Sequence, residues 1–410
     1  MQNADKRPPS AVDPVRARPA PRPITGEFLL RGKKLTVTGR EDVIRAEFKQ
    51  RVVIEDCEID LRFTRRDFGN VGIFLFSCGN VTLRNVRVIG HTEGREASGG
   101  IRIWDADKTQ IEDCLVQGVF DRENIELRDC GPATLRRTES RGRRLASGGF
   151  KSGSGIWVAN VRGEGKILPA NPGRPRYPSM DLLIEDCRVA DNTADSSNKD
   201  GIYIQSVRDF VLRRTHVENW RHDGLLDVGF RDTQGSKPNH GGTGRIENCR
   251  FENGYLKVTV GAAGGIRFVD CDCRSVSYVP YFFDGGDVFF EGCRFNTFAD
   301  ARRSDLPDAF GVNQQGDWIP DRQDKYGRAS RTHFVRCTFR DTRPHDAFLF
   351  GNPRNPFLPF FVADENTYDL PRLAAFARDR EFTYATFAEW QKRTGNDRHS
   401  RWLALPAVTK

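Results

Sequence analysis

The chain lacks the long apolar runs that would carry it through a membrane. No stretch approaches the roughly 20 consecutive apolar residues of a spanning helix, so the reading is a soluble protein with no membrane partner. An apolar stretch is also missing from the first 25 residues, which are rich in Pro, Arg and Ala and read as a disordered leader, not a signal peptide. Methionine is nearly absent, with 2 residues. No cysteine or histidine spacing matches a closed zinc site. Nor does the chain have the period of a propeller, whose blades need about 40–45 residues each; repeats here come as close as 22 residues, from Gly244 to Ile266.

What is abundant is Gly (39) and Phe (29), which suit turns and a stacked β interior. Net charge is +8. Residues 1–25 hold Lys6, Arg7, Arg16, Arg18 and Arg22 against Asp5 and Asp13, which is +3 of that total. A basic surface permits an acidic partner, a uronate polymer or a nucleic acid, or is simply a solvated face. Of the two partners, the acidic polysaccharide is expected and nucleic acid is not.

One pattern recurs ten times, beginning at Val52, Val81, Thr109, Ala133, Leu182, Phe210, Gly244, Ile266, Val288 and Thr332. Each copy has two alternating apolar positions, two polar residues, then Cys, Thr or Val, then usually another apolar residue. This reads as two short strands bent at the polar pair, where Asp56, Asn85, Asp113, Asp186 and Asn248 can bond the backbone. A second pattern follows each first one, for example Gly99–Trp104, Glu123–Arg128, Ser154–Ala159 and Asp200–Gln205. It supplies a third strand that alternates inward apolar and outward variable residues. Such coils cannot bury their apolar faces alone, and stacking them at about 4.8 Å does so.

The predicted fold is therefore all-β, a right-handed parallel β-helix of three-strand coils and about ten turns. It is divided into a leader (1–25), a solenoid (26–370) and a helical C-terminal tail (371–410). Residues 26–50 are expected to cap the first end. The stretch Phe387–Ser400 reads as docking structure and resembles tails of secreted bacterial β-helix proteins. Cys57, Cys114, Cys187, Cys249, Cys271, Cys293 and Cys337 share one register and read as small buried residues in a reduced ladder.

Aligning the third strands on their Asp-Gly positions places Asp200 beside Asp223 and sets Arg128, Trp104, Trp157 and Tyr203 on one outward face. Aromatic rings there can meet sugar faces, and two adjacent carboxylates call for a cation. The repeats resemble the right-handed parallel β-helix repeat family, the architecture of pectate lyases. Asn198-Lys-Asp200-Gly, Arg221-His222-Asp223-Gly-Leu-Leu-Asp227 and Lys257 on the next coil are similar to the middle coils of family 9 pectate lyases. His222 replaces the first Asp of that motif, and one additional Leu precedes Asp227. The resemblance implies Ca²⁺ held by Asp200, Asp223 and Asp227, with Lys257 taking the C5 proton of a uronate. The expected catalytic centre is Asp200, His222, Asp223 and Lys257, with Arg221, Arg128, Trp104, Trp157 and Tyr203 binding the substrate. The expected function is a polysaccharide lyase on a uronate-containing glycan, in an extracellular or periplasmic setting. A glycoside hydrolase on the same face and a noncatalytic glycan-binding or structural solenoid stand as alternatives.

Overall fold

The structure is a computed structural model that describes residues 22–37, 43–62, 71–90, 99–118, 120, 123–144, 150–151, 154–159, 181–192, 200–205, 207, 209–220, 224–229, 243–260, 265–282, 287–297, 331–341, 350–351, 361–370, 377–378 and 383–404. A 30-stranded sheet winds through them as one solenoid, each strand pairing in parallel with those one coil before and after. The winding is right-handed, the hand that a twisted strand and its crossover favour. Three faces result, here called the first, second and third sheets in the order the chain meets them within a coil.

The bend between first and second sheets explains the polar pair. Asp56, Asn85, Asp113, Asp186 and Asn248 all adopt φ between 50° and 55°, the left-handed conformation that Asn and Asp tolerate best. Arg137 and Arg214 occupy the same corner at φ 48°. Each guanidinium reaches back one coil, Arg137 Nε to Asp113 at 2.6 Å and Arg214 Nε to Asp186 at 2.7 Å, which offsets some of the strain.

The residue after each corner turns inward. Cys57, Cys114, Cys187, Cys249, Cys271, Cys293 and Cys337 are all buried there, and all ten cysteines are free thiols. Their Sγ–H groups lie against the carbonyl two residues back and against that of the preceding coil, as with Cys249 to Leu212 O (3.5 Å) and Cys293 to Phe268 O (3.5 Å). Thr138 and Asn366 make equivalent bonds at this register, to Ile111 O and Phe334 O. A small side chain with one weak donor is what the corner selects, which is why Cys, Thr and Asn interchange.

The interior changes along the axis. Early coils stack Ile54, Leu83, Ile111, Leu135 and Ile184 on the first sheet; later ones stack Phe268, Phe290 and Phe334. Phe268–Phe290 and Phe290–Phe334 are parallel at 4.5 and 4.9 Å. Each such ring contributes about 2–3 kcal/mol by burial. At one coil the packing requires glycine: a Cβ on Gly244 would stand 2.2 Å from the Phe210 ring below it.

Two coils lie beyond the ten repeats. Glu27–Arg31 pairs with the strand from Arg51 in full register, and Lys34–Val37 and Ile44–Glu47 pair onto the next coil likewise, so the described part of 26–50 continues the helix, with Gly32 (φ 60°) at its corner. Phe361–Asp364 and Thr367–Leu370 form another beyond Thr332. Within the described part of the tail, the helix is confined to Phe387–Thr394, shorter than a helical reading of 371–410 implies. Thr386 caps its start by accepting from Glu389 N, and Gly395 at φ 71° ends it. Beyond it Arg401–Ala404 returns to the sheet against Thr367–Leu370. Phe387 and Trp390 cover the last coil. The buried Asp397 carboxylate accepts from Trp390 Nε1 (2.9 Å), Tyr368 OH (2.8 Å), Asn366 Nδ2 (3.0 Å) and Ser400 Oγ (2.7 Å). That hub is the docking structure of the tail.

Candidate functional site

On the third sheet the inward positions are apolar: Ile101 and Ile103, Ile125 and Leu127, Ile156 and Val158, Ile202 and Ile204, Leu226 and Val228, Leu256 and Val258. The residues between them make an outward column that reads Phe74, Arg102, Glu126, Trp157, Tyr203, Asp227 and position 257, one rung per coil. A second column, two residues on, reads Phe76, Trp104, Arg128, Ala159 and Gln205.

The first of these columns holds a buried clamp. Glu126 is only 2% exposed and accepts from Arg102 Nε at 2.6 Å and Trp104 Nε1 at 2.8 Å, with Arg128 Nη2 at 3.2 Å. The Arg128 guanidinium carbon lies 4.8 Å from the ring centroids of both Trp104 and Trp157. Trp157 in turn lies parallel to Tyr203 at 6.4 Å and 10°. A planar cation held between two indoles by a carboxylate is a rigid arrangement, because each partner restricts the others' rotamers. Two guanidinium charges against one carboxylate leave the platform with a net charge of +1. The ring faces pack on Arg102, Arg128 and one another, and Trp104, Trp157 and Tyr203 stay half-buried beside the cation, a mixed apolar and cationic surface that a sugar bearing a carboxylate can meet.

The sequence-predicted residues fall as follows. Trp104, Arg128, Trp157 and Tyr203 come together in this platform. Asp227 stands on the outward column opposite Tyr203, and Lys257 occupies the position opposite Asp227. Asp200 is buried at 5% exposure, its amide 3.4 Å from Ser154 Oγ. Arg221, His222 and Asp223 lie outside the described residues. Glu126 was legible as an outward position, but its role as the clamp was not, because its partners come from other rungs.

Register corrects one expectation. Matching Asp-Gly to Asp-Gly puts Asp223 opposite Asp200, whereas Asp200 pairs with Gly224 and Ile202 with Leu226. The core decides this: a one-residue slip sends every side chain to the other face, and the Asp-Gly match would align Asp227 with the buried Ile204. The true register aligns Val228 with Ile204 and leaves Asp227 outside. The Gly half of the motif has a packing cause of its own, since a Cβ on Gly201 would meet Leu225 O at 2.5 Å and Val217 Cγ1 at 2.7 Å.

Calcium fits the described donors poorly. Asp200 and Asp227 sit opposite Gly224 and Tyr203, three positions apart along the strand, which is roughly 10 Å of backbone. Among the described residues no group of three donors at ligand spacing includes either. No chemical step is therefore assigned to the ion.

A groove of about 910 Å³ lies elsewhere, on the first sheet, between a rim of Asp181, Asp209 and Asp287 and the side chains of Arg245, Arg267 and Phe289. The arginines there are already neutralised, Arg245 by Glu247 and Arg267 by Glu291.

No protein-family model and no curated protein matches the chain. Among solved structures it is similar to the tailspike protein gp49 from Pseudomonas phage LKA1, at 11% identity and a TM-score of 0.42. The match covers 80% of this chain and 46% of that one, so this chain spans about half the tailspike's length.

Proposed function

We propose that this β-helix binds and processes an acidic, uronate-containing polysaccharide on its third sheet, and that the reaction is β-elimination. The observation that carries the reading is the column Trp157–Tyr203–Asp227–Lys257, which sets an aromatic platform and then an acid and a base position on four successive coils. Trp157 and Tyr203 support sugar rings, Trp104 holds the platform through Glu126, and Arg128, four coils and so about 19 Å from Lys257, meets the carboxylate of a different uronate along the chain. Lys257 takes the C5 proton of the reacting uronate, whose own carboxylate has Arg221 as its candidate partner; the electron pair of that C–H bond forms the C4–C5 double bond, the C4–oxygen bond breaks, and the leaving oxygen is protonated by an acid, for which His222 is the candidate. Asp200 and Asp223 line the same coils, with Arg221 beside them. An extracellular or periplasmic setting belongs to this reading, since such polymers lie outside the cell.

One observation favours a second reading, glycoside hydrolysis. Asp227 stands opposite position 257, and a neighbouring carboxylate favours the ammonium form of a lysine. That weakens a base and leaves Asp200, Asp223 and Asp227 for acid–base hydrolysis.

A panel of acidic polysaccharides, with and without chelator, separates the two, since elimination alone creates an ultraviolet-absorbing unsaturated uronate. On the polymer that reacts, Lys257→Ala is expected to cost roughly 10²–10⁴ in kcat, as loss of a general base does, with KM kept. Trp157→Ala should raise KM. Full activity in Lys257→Ala removes the elimination mechanism, and unchanged KM in Trp157→Ala removes the platform.

A further inference from the structure

The second sheet carries a constellation that the glycan reading does not use. The strand His216–Trp220 pairs with Arg250–Val260, so that His216 faces Arg250 and Glu218 faces Glu252 directly. Val217 between them is fully buried, which puts His216 and Glu218 on the outer face. Two carboxylates opposite each other on neighbouring strands repel, and this pair is held in place by arginines. Arg188 Nε donates to Glu218 Oε1 at 3.0 Å, Arg250 Nε donates to Glu252 Oε1 at 2.6 Å, and Arg274 Nη1 lies 3.6 Å from the same Glu252 oxygen.

In both glutamates the guanidinium groups engage Oε1. The other oxygens, Glu218 Oε2 and Glu252 Oε2, point at one nitrogen, His216 Nε2, at 3.9 and 3.3 Å. All three atoms lie within 4.8 Å of one another. Ligands of a tetrahedral ion at bond lengths near 2.0–2.1 Å stand about 3.4 Å apart, so a small contraction would place the three on one centre. The arginines resemble an outer shell, each fixing a carboxylate by the oxygen that does not ligate. Side-chain exposures of 28% for His216 and 14% for each glutamate leave the centre open to solvent on one side.

We propose that His216, Glu218 and Glu252 form a binding site for a divalent transition cation of the zinc class, with at least one coordination position open. An imidazole nitrogen with two carboxylate oxygens suits Zn²⁺; Ca²⁺ takes oxygen ligands in larger number. With neutral His216, the local charges are Arg141, Arg188, Arg250 and Arg274 against Glu139, Glu218, Glu252 and Asp272, which balance, so a divalent ion brings the cluster to +2. The ion would tie two consecutive coils on a face other than the one assigned to the glycan.

The test is calorimetric titration of the full chain with Zn²⁺ near pH 7, with Ca²⁺ as the control cation. Wild type is expected to show a saturable site of unit stoichiometry and a melting temperature raised by Zn²⁺ but not by Ca²⁺. His216→Ala and the Glu218→Gln/Glu252→Gln pair should each weaken that site by more than the roughly 10–100-fold that loss of an outer-shell partner costs. Circular dichroism of the metal-free variants should match wild type; the glutamate pair, which releases Arg188, Arg250 and Arg274, should melt lower, so its readout is the loss of the Zn²⁺-induced rise in melting temperature and not the absolute value. Co²⁺ bound in place of Zn²⁺ should give visible absorption bands that His216→Ala abolishes. Absence of a Zn²⁺ site in wild type, or an unchanged site in His216→Ala, overturns the proposal; in either case His216 is only an ion-pair partner of Glu252.

Discussion

Replacing Glu185 with Gln should test how far charge pairing between coils stabilises the solenoid. Over the first eight coils the residue before the corner on the first sheet alternates in sign: Arg31, Glu55, Arg84, Glu112, Arg136, Glu185, Arg213, Glu247. Glu185 is the most deeply placed, with its side chain 5% exposed. It accepts from Arg213 Nε at 2.6 Å and Arg136 Nε at 2.8 Å, and Arg214 joins from the corner. The Arg213 hydrogen bond, then those from Arg136 and Arg214, outweigh burial and hold its carboxyl down at about 2, against an ordinary 4.5. A hydrogen bond to a charged group contributes about 1.5–3 kcal/mol. The three arginines keep 35–50% of their side chains in solvent, so water screens much of the charge left behind. Glu185→Gln keeps the shape and should cost about 2 kcal/mol at pH 7. The sign follows from linkage: a depressed carboxyl stabilises fully above its unfolded value and loses that contribution as pH falls through its folded one. The wild-type advantage should therefore be complete above about pH 4.5 and fade between there and about pH 2. Urea unfolding of both proteins across that range measures it. A difference that is absent at pH 7, or that stays constant down to pH 2.5, refutes the reasoning.

Three further outcomes can be checked. Burial pushes the Cys114 and Cys130 thiols up to about 12, so alkylating reagents should leave the native chain nearly unmodified and recover ten thiols after unfolding; two or more disulfide bridges among Cys57, Cys114, Cys187 and Cys249, seen by mass spectrometry, contradict the ladder. Asp397→Ala strands the buried donors of Trp390, Tyr368 and Asn366, and should cost about 3–5 kcal/mol as broken buried networks do, read as a lower melting temperature with selective loss of amide protection in the last coils. Gly244→Ala drives a methyl into the Phe210 ring and should cost about 1–3 kcal/mol; combining it with Phe210→Leu should recover part of that, and additive losses would show that the ring is not the obstacle.

Much of the fold was legible because each coil repeats the same three physical demands. An apolar alternation fills the interior, a left-handed corner takes Asp or Asn, and a small residue follows it. Where a coil meets those demands with other residues, the pattern fades. Glu27–Val37 uses Gly32 and Lys33 at its corner, and Phe361–Leu370 uses Glu365 and Asn366. Asn366 serves as well as Cys because its amide donates to Phe334 O and its oxygen accepts from Cys337 N. In the tail, Ala377–Arg378 and Thr383–Tyr384 are strands and the described helix is Phe387–Thr394; the return of Arg401–Ala404 to the sheet is a tertiary pairing with no local signal.

The site was legible in composition and less so in register. Trp104, Arg128, Trp157 and Tyr203 could be placed on one face from strand parity alone, since parity is a local property. Pairing between coils is not local, and two signals competed for it at Asp223–Asp227. The Asp-Gly dipeptide pointed to one alignment and the apolar pair Leu226 and Val228 to another. Aligning the dipeptides would place a carboxylate in the interior beside Ile204, at a cost of several kcal/mol without a partner, against the loss of a turn preference worth far less. Burial therefore wins, and it moves Asp227 from the interior to the side of Tyr203. The same logic explains why Glu126 and His216 had no visible partners in the sequence. Glu126 finds Arg102 24 residues away and His216 finds Glu252 36 residues away, and those separations become contacts only once the hydrophobic register has fixed which residue stands above which.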